Sequence, residues 1–116
     1  LENKPIEVYN HGNMKRDFTY IDDIISGIRS AINKNYDFEI FNLGNNASEN
    51  LMDMIAIIEN KLNKKAIINF LPLQPGDVVS TSANINYSME KLDYKPLVSI
   101  NKGIPIFIDW YKSFYG

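Results

Sequence analysis

Two side chains in this 116-residue sequence have the type and setting to hold a charged ligand. Arg16 follows a polar, glycine-containing stretch, residues 11–15 (HGNMK), and precedes a change from extended to helical periodicity. A planar guanidinium at such a junction could grip a phosphate through two parallel hydrogen bonds. The competing reading is a surface arginine paired with its neighbour Asp17, and residue types alone favour it. Asp77 closes the turn Gln74-Pro75-Gly76-Asp77. Pro75 fixes the backbone, Gly76 permits a positive φ, and the carboxylate could accept from ribose hydroxyls. A plain turn, with the carboxylate bonded to nearby backbone, is the commoner outcome of that spacing. Arg29, the other arginine, falls with Asp22, Ser26 and Asn33 on one helical side, as a solvated face requires. His11 is the only histidine. A single imidazole makes neither a metal site nor a triad, so ligand contact is the most it offers.

Composition narrows the field. Hydrophobic residues make up 45% and aromatics 12%, enough for the core of one small domain. A net charge of -2 excludes the basic field that coats nucleic acid or an anionic membrane, so any anionic ligand is held by a few local donors. No cysteine is present, which excludes disulfides and thiolate metal sites and permits a reducing compartment. A cytoplasmic location is the expectation. No apolar run approaches the roughly 20 residues of a membrane span. The opening Leu1-Glu2-Asn3-Lys4-Pro5 carries no Met and no signal-peptide pattern, as expected for the interior of a longer chain or a trimmed one.

The elements that must position Arg16 and Asp77 follow from periodicity. Residues 5–10 (PIEVYN) alternate as a strand, and residues 16–20 are short and partly extended. Ile21, Ile24, Ile25, Ile28 and Ile32 mark the apolar face of a helix, with Thr19 as its cap and Asp22 and Asp23 at its positive end. Residues 38–43 (FEIFNL) predict a strand ending at Gly44. Leu51, Met54, Ile55, Ile58 and Leu62 mark a second helix, capped by Asn50 or Ser48 and stopped at Asn63. Residues 66–71 (AIINFL) predict a strand buried on both faces. A short extended piece over 80–84, a helix over 85–92 and a helix after Ser99 complete the chain. Pro105 predicts a kink or a later start in that last helix. Three or four strands and four helices are few for a complete doubly wound sheet.

The motifs also carry a resemblance. Residues 5–24 (PIEVYNHGNMKRDFTYIDDI), then 41–46 (FNLGNN), 49–59 (ENLMDMIAIIE), 71–78 (LPLQPGDV) and Trp110-Tyr111 resemble, in order, the C-terminal region of extended short-chain dehydrogenases/reductases. They look most like UDP-glucuronate 4-epimerases, which are NAD-dependent nucleotide-sugar epimerases. The resemblance implies a small mixed α/β substrate-binding subdomain over residues 1–116, with the N-terminal Rossmann sheet and its NAD-binding domain absent. It implies that Arg16 contacts the UDP diphosphate, that Asp77 bonds the uridine ribose, and that the Tyr9 backbone lies beside uracil. Many relatives carry arginine where Gln74 stands, and glutamine is usual in the glucuronate-type group.

The family takes NAD through a glycine-rich loop, and no glycines here have that spacing. Its catalytic tyrosine and lysine lie four apart. Tyr87 and Lys91 do so here, but seven Tyr and ten Lys yield such a pair by chance about as often as not, and this one falls in the wrong part of the pattern. No catalytic residue, cofactor site or metal ligand is therefore assigned. The expected partner is a UDP-sugar, bound weakly by this chain alone. An N-terminal half, or a second copy meeting apolar surface at Ile57 and the last helix, is the other expected partner. A dehydratase or decarboxylase of the same superfamily, and a non-enzymatic interaction module, are the alternatives.

Overall fold

The computed structural model describes residues 2–116. Among the described residues, four short strands pair into two two-stranded sheets, and four α-helices accompany them. The first sheet pairs β1 (Ile6–Val8) with β4 (Ile68–Phe70) in parallel, Val8 opposite Phe70. The second pairs β2 (Lys15–Asp17) with β3 (Ser48–Asn50) antiparallel, Arg16 opposite Glu49. On its other edge β2 exchanges backbone bonds with the stretch around Ser80: Lys15 N–H donates to Val79 O at 2.8 Å and Thr81 N–H to Lys15 O at 3.2 Å. The extended piece expected over 80–84 is reduced to this bridge.

Helix α1 (Ile21–Lys34) begins where the isoleucine spacing places it, but it turns the other way. Asp23 and Gly27 are its buried residues, whereas Ile21, Ile25, Ile28 and Ile32 are exposed. The close approach dictates this orientation. A Cβ on Gly27 would stand 2.6 Å from Leu43 Cδ2, so a larger residue would have to displace that side chain for α1 to lie as close to Leu43 and Tyr94. The Asp23 carboxylate then receives Leu97 N–H and Val98 N–H, both at 3.0 Å, pinning the approach to the last helix. Thr19 is not the cap. Tyr20 occupies that position, its carbonyl taking Asp23 N–H and Ile24 N–H.

Helix α2 (Leu51–Leu62) follows Asn50 and ends at Asn63 in the left-handed conformation, both as expected. Its apolar stripe packs against α4 (Ile100–Tyr115), and Lys61 joins Asp109 at 2.7 Å across that contact. Helix α4 starts at Ile100 and runs through Pro105, so the later start is not seen. Helix α3 (Asn86–Leu92) ends at Asp93, where Lys34 of α1 meets the carboxylate at 2.6 Å. Ile85, Leu92 and Tyr94 form the buried cluster, with Ala31, Phe41, Leu43 and Ala83 against it.

Two expected strand features are absent. Residues 38–43 pair with no strand, and Phe38 and Ile40 are 85% and 76% exposed. Strand β4 is not buried on both faces: Phe70 is exposed, because a two-stranded sheet has too few neighbours to cover it.

The connection from α2 to β4 turns on Glu59. Its carboxylate accepts from Lys65 Nζ at 2.7 Å and from Ala66 N–H at 2.8 Å. The Lys65 bond, then the Ala66 bond, hold its pKa below the usual carboxylate range. A depressed carboxylate contributes stability that is complete above its unfolded pKa and is lost as pH falls through the lower folded value. Urea midpoints should therefore drop on acidification below the ordinary carboxylate range, and Glu59→Gln should flatten that limb. An unchanged acid limb in Glu59→Gln would contradict this role. Asp23→Ala, which strands two backbone donors, should cost about 2–3 kcal/mol in chemical denaturation.

Candidate functional site

Arg16 and Asp77, 61 positions apart in sequence, meet directly. Arg16 Nη2 lies 2.9 Å from Asp77 Oδ1, with the two side chains 28% and 30% exposed. The partner of Arg16 is thus Asp77 and not Asp17. Strand alternation explains it, since successive side chains of β2 leave on opposite faces. The guanidinium is held by backbone as well: Nη1 donates to Lys15 O at 2.8 Å and to Val79 O at 3.3 Å. Three of its donors are so used, and the remaining N–H groups have no protein partner among the described residues.

Asp77 sits where the turn chemistry puts it. Gly76 has φ +84°, and Asp77 N–H donates to Gln74 O at 3.1 Å. The carboxylate also takes Val78 N–H at 2.8 Å. The local Asx-type bond and the long-range ion pair therefore share one oxygen. Gln74 is exposed in the same turn. Tyr9 follows β1 at the carboxyl end of the parallel pair, flanked by the bonds Leu71 N–H to Val8 O and His11 N–H to Leu71 O. Its hydroxyl donates to Glu7 at 2.7 Å, and that bond raises the phenol pKa. Tyr9 and Gln74 share this end of the sheet with Asp77 without joining the ion pair. His11 is exposed, with a left-handed backbone.

The group that the sequence left unassigned is the Asp17 carboxylate. It accepts from Asn45 N–H at 2.9 Å, Asn46 N–H at 3.1 Å and Ala83 N–H at 2.9 Å, while Asp17 N–H donates to Thr81 Oγ1. An acidic residue beside the glycine of FNLGNN was the available signal, visible only once both segments were in place.

Tyr87 and Lys91 both lie on the short helix α3. The Tyr87 ring stacks on Phe41, and Lys91 Nζ lies 5.9 Å from the Tyr87 centroid. The hydrogen bond to Glu39 raises the Tyr87 pKa, opposite to what a tyrosinate base needs. No cluster of three or more metal-ligating side chains occurs among the described residues. Among the glycines, Gly27 and Gly103 lie inside helices, and Gly76 stands in an exposed turn. A cavity of about 490 Å³ lies between β1, α2 and α4, lined by Ile6, Met54, Ile58, Phe107 and Tyr111; Arg16 and Asp77 lie outside it.

Relatives share this arrangement of elements. A model of the NAD dependent epimerase/dehydratase family matches residues 1–44. An uncharacterized protein of Methanocaldococcus jannaschii is 53% identical over 111 residues, covering 96% of this chain and 34% of that protein. UDP-glucuronate 4-epimerase 4 of Arabidopsis thaliana is 35% identical over 132 residues, covering 99% of this chain and 30% of that protein. The solved UDP-glucuronic acid 4-epimerase of Bacillus cereus, in complex with UDP-glucuronic acid and NAD, superposes with a TM-score of 0.88 at 34% identity. That match covers 98% of this chain and 37% of the other. The chain is therefore homologous, as a segment, to proteins of the NAD dependent epimerase/dehydratase family, and it has the mixed α/β fold of part of an extended short-chain dehydrogenase/reductase. Within that family it is homologous to UDP-glucuronate 4-epimerases. It spans about a third of the length of the curated relatives it matches.

Asp17 gathers three backbone donors of two separate loops. Asp17→Ala should lower stability by about 2–4 kcal/mol in urea denaturation, since each stranded donor carries a desolvation cost. Amide hydrogen exchange should quicken at Asn45, Asn46 and Ala83. Exchange that stays slow at all three would show that other groups hold the loops.

Proposed function

We propose that residues 1–116 are the C-terminal, UDP-sugar-binding portion of a nucleotide-sugar epimerase of the UDP-glucuronate 4-epimerase kind. The observation that carries this is the meeting of Arg16 and Asp77. A ligand joining a diphosphate to a ribose presents an anion and vicinal hydroxyls side by side, the complement of a guanidinium beside a carboxylate. Arg16 takes the diphosphate, Asp77 the ribose hydroxyls, and the backbone at Tyr9 the uracil edge. Gln74 borders the phosphates without adding charge, so Arg16 is the single arginine on them. The homology to UDP-glucuronate 4-epimerases along the whole chain supports this assignment.

The chain contributes grip and orientation, which speed a reaction only when the reacting groups are also present. NAD, the family's cofactor, would supply hydride transfer. In this proposal residues 1–116 supply neither its phosphate cradle nor a base tyrosine, and alone they are inactive. Turnover then needs an N-terminal half. The apolar surface left open supports such a partner, or a second copy: Ile32, Phe38, Trp110 and Phe114 are all exposed. The proposal places the chain in the cytoplasm; among the described residues, no helix is long and apolar enough to cross a membrane.

Titration with UDP, followed by NMR, should shift amides around Arg16, Asp77 and Val79 at millimolar ligand. Arg16→Gln should weaken that binding about tenfold or more, the worth of hydrogen bonds to a charged group. No shift at millimolar UDP would end the proposal. Dimerisation in sedimentation without any UDP response would instead favour an interaction module.

A further inference from the structure

The Arg16–Asp77 contact has a cost for any incoming anion, and that cost differs between ligands. The guanidinium is already neutralised at 2.9 Å, and the same Asp77 oxygen holds Val78 N–H. A phosphate reaching Arg16 meets a second carboxylate nearby, because Glu49 stands opposite Arg16 in the β2–β3 register. The remaining Arg16 donors are accessible, but the charge they carry is shared with Asp77. A bare inorganic phosphate can displace Asp77 only by leaving that carboxylate beside a new anion with nothing but Val78 N–H in return. A ligand that carries hydroxyl groups next to its phosphate restores donors to Asp77 as it takes the guanidinium.

We infer that Asp77 is a specificity-determining gate: its ion pair with Arg16 rejects inorganic phosphates and admits only anions that bring their own hydroxyl donors. The pair opens by exchange, guanidinium to phosphate and carboxylate to hydroxyl. Inorganic pyrophosphate, an abundant competitor with the same charged group as a nucleoside diphosphate, is the ligand the gate excludes. The inference rests on the nucleotide assignment of this site and adds to it a role for the unliganded pair.

The test compares UDP and inorganic pyrophosphate on the 116-residue chain by NMR titration. Asp77→Asn keeps the shape of the turn and removes the counter-charge. It should tighten pyrophosphate binding about fivefold, the size a partly exposed ion pair allows. UDP should gain less or weaken, so the preference for UDP narrows. Asp77→Ser, with a shorter side chain, should narrow it in the same direction. Glu49→Gln removes the same charge without opening the pair and should tighten pyrophosphate much less. Adding Arg16→Gln to Asp77→Asn should abolish the gain. Pyrophosphate binding that is unchanged or weaker in Asp77→Asn overturns the gate, as does an equal gain in Glu49→Gln. A gain that survives loss of Arg16 overturns it too. UDP silent on every variant defeats the nucleotide assignment and the gate together. UDP binding that depends on Arg16, with pyrophosphate indifferent to Asp77, defeats the gate alone.

Discussion

Strand β2 is three residues long, and what keeps it in place is the carboxylate of Asp17. Its two oxygens take backbone N–H groups from the loop at Asn45 and Asn46 and from Ala83, and its own N–H reaches Thr81. Charge-assisted bonds of this kind are about twice as strong as neutral ones, and three on one group fix two loops against one strand. The stretch that Asp17 anchors runs on from residues 77–79, which carry Asp77 and the Val79 carbonyl beneath Arg16. The site's two charged groups are thus placed by a third that touches neither. Tyr94 adds to the same knot. Its hydroxyl donates to Gly44 O at 2.9 Å, and burial, then the nearby Asp23 and Asp17, raise its pKa, so it stays a donor.

The rest of the chain is a thin plate. Its principal extents are 48 × 37 × 19 Å, and its radius of gyration is 16.7 Å. A compact domain of this length would have about 13 Å. A slab of that thickness has room for about one helix over one sheet. The isoleucines of α1 and the aromatics at the end of α4 consequently lie on its outside, while polar Asp23 and small Gly27 are inside. Within residues 2–116, a close approach and a carboxylate clamp hold α1, and its apolar stripe faces away from both.

Helix positions were legible because 3.6-residue spacing is local. The bounds of α2, its stop at Asn63, and the starts of α1 and α4 follow from it. Which face a helix buries is not local, so the periodicity of α1 pointed outward. The same holds for residues 38–43 and 66–71, whose strand-like patterns state a preference that only neighbouring strands can satisfy. The turn at Gln74–Asp77 and the separate candidacies of Arg16 and Asp77 could be read from residue types. Their bond to each other could not, nor could the gathering of donors at Asp17. Each depends on segments more than sixty positions apart for one of its contacts.

Arg16 and Asp17 are adjacent in sequence and serve opposite sides of one strand. An insertion or deletion of a single residue just before them, with pairing retained, would exchange their faces. A carboxylate would then confront Asp77, and the loop donors at Asn45 and Asn46 would confront a guanidinium that accepts nothing. Point substitutions act here one at a time, but a frame shift of one position along this strand reverses the sign of the site and unlatches its support together. Natural length variation in this protein should therefore fall in connections such as residues 35–40, where the chain carries no paired strand, and spare residues 13–17.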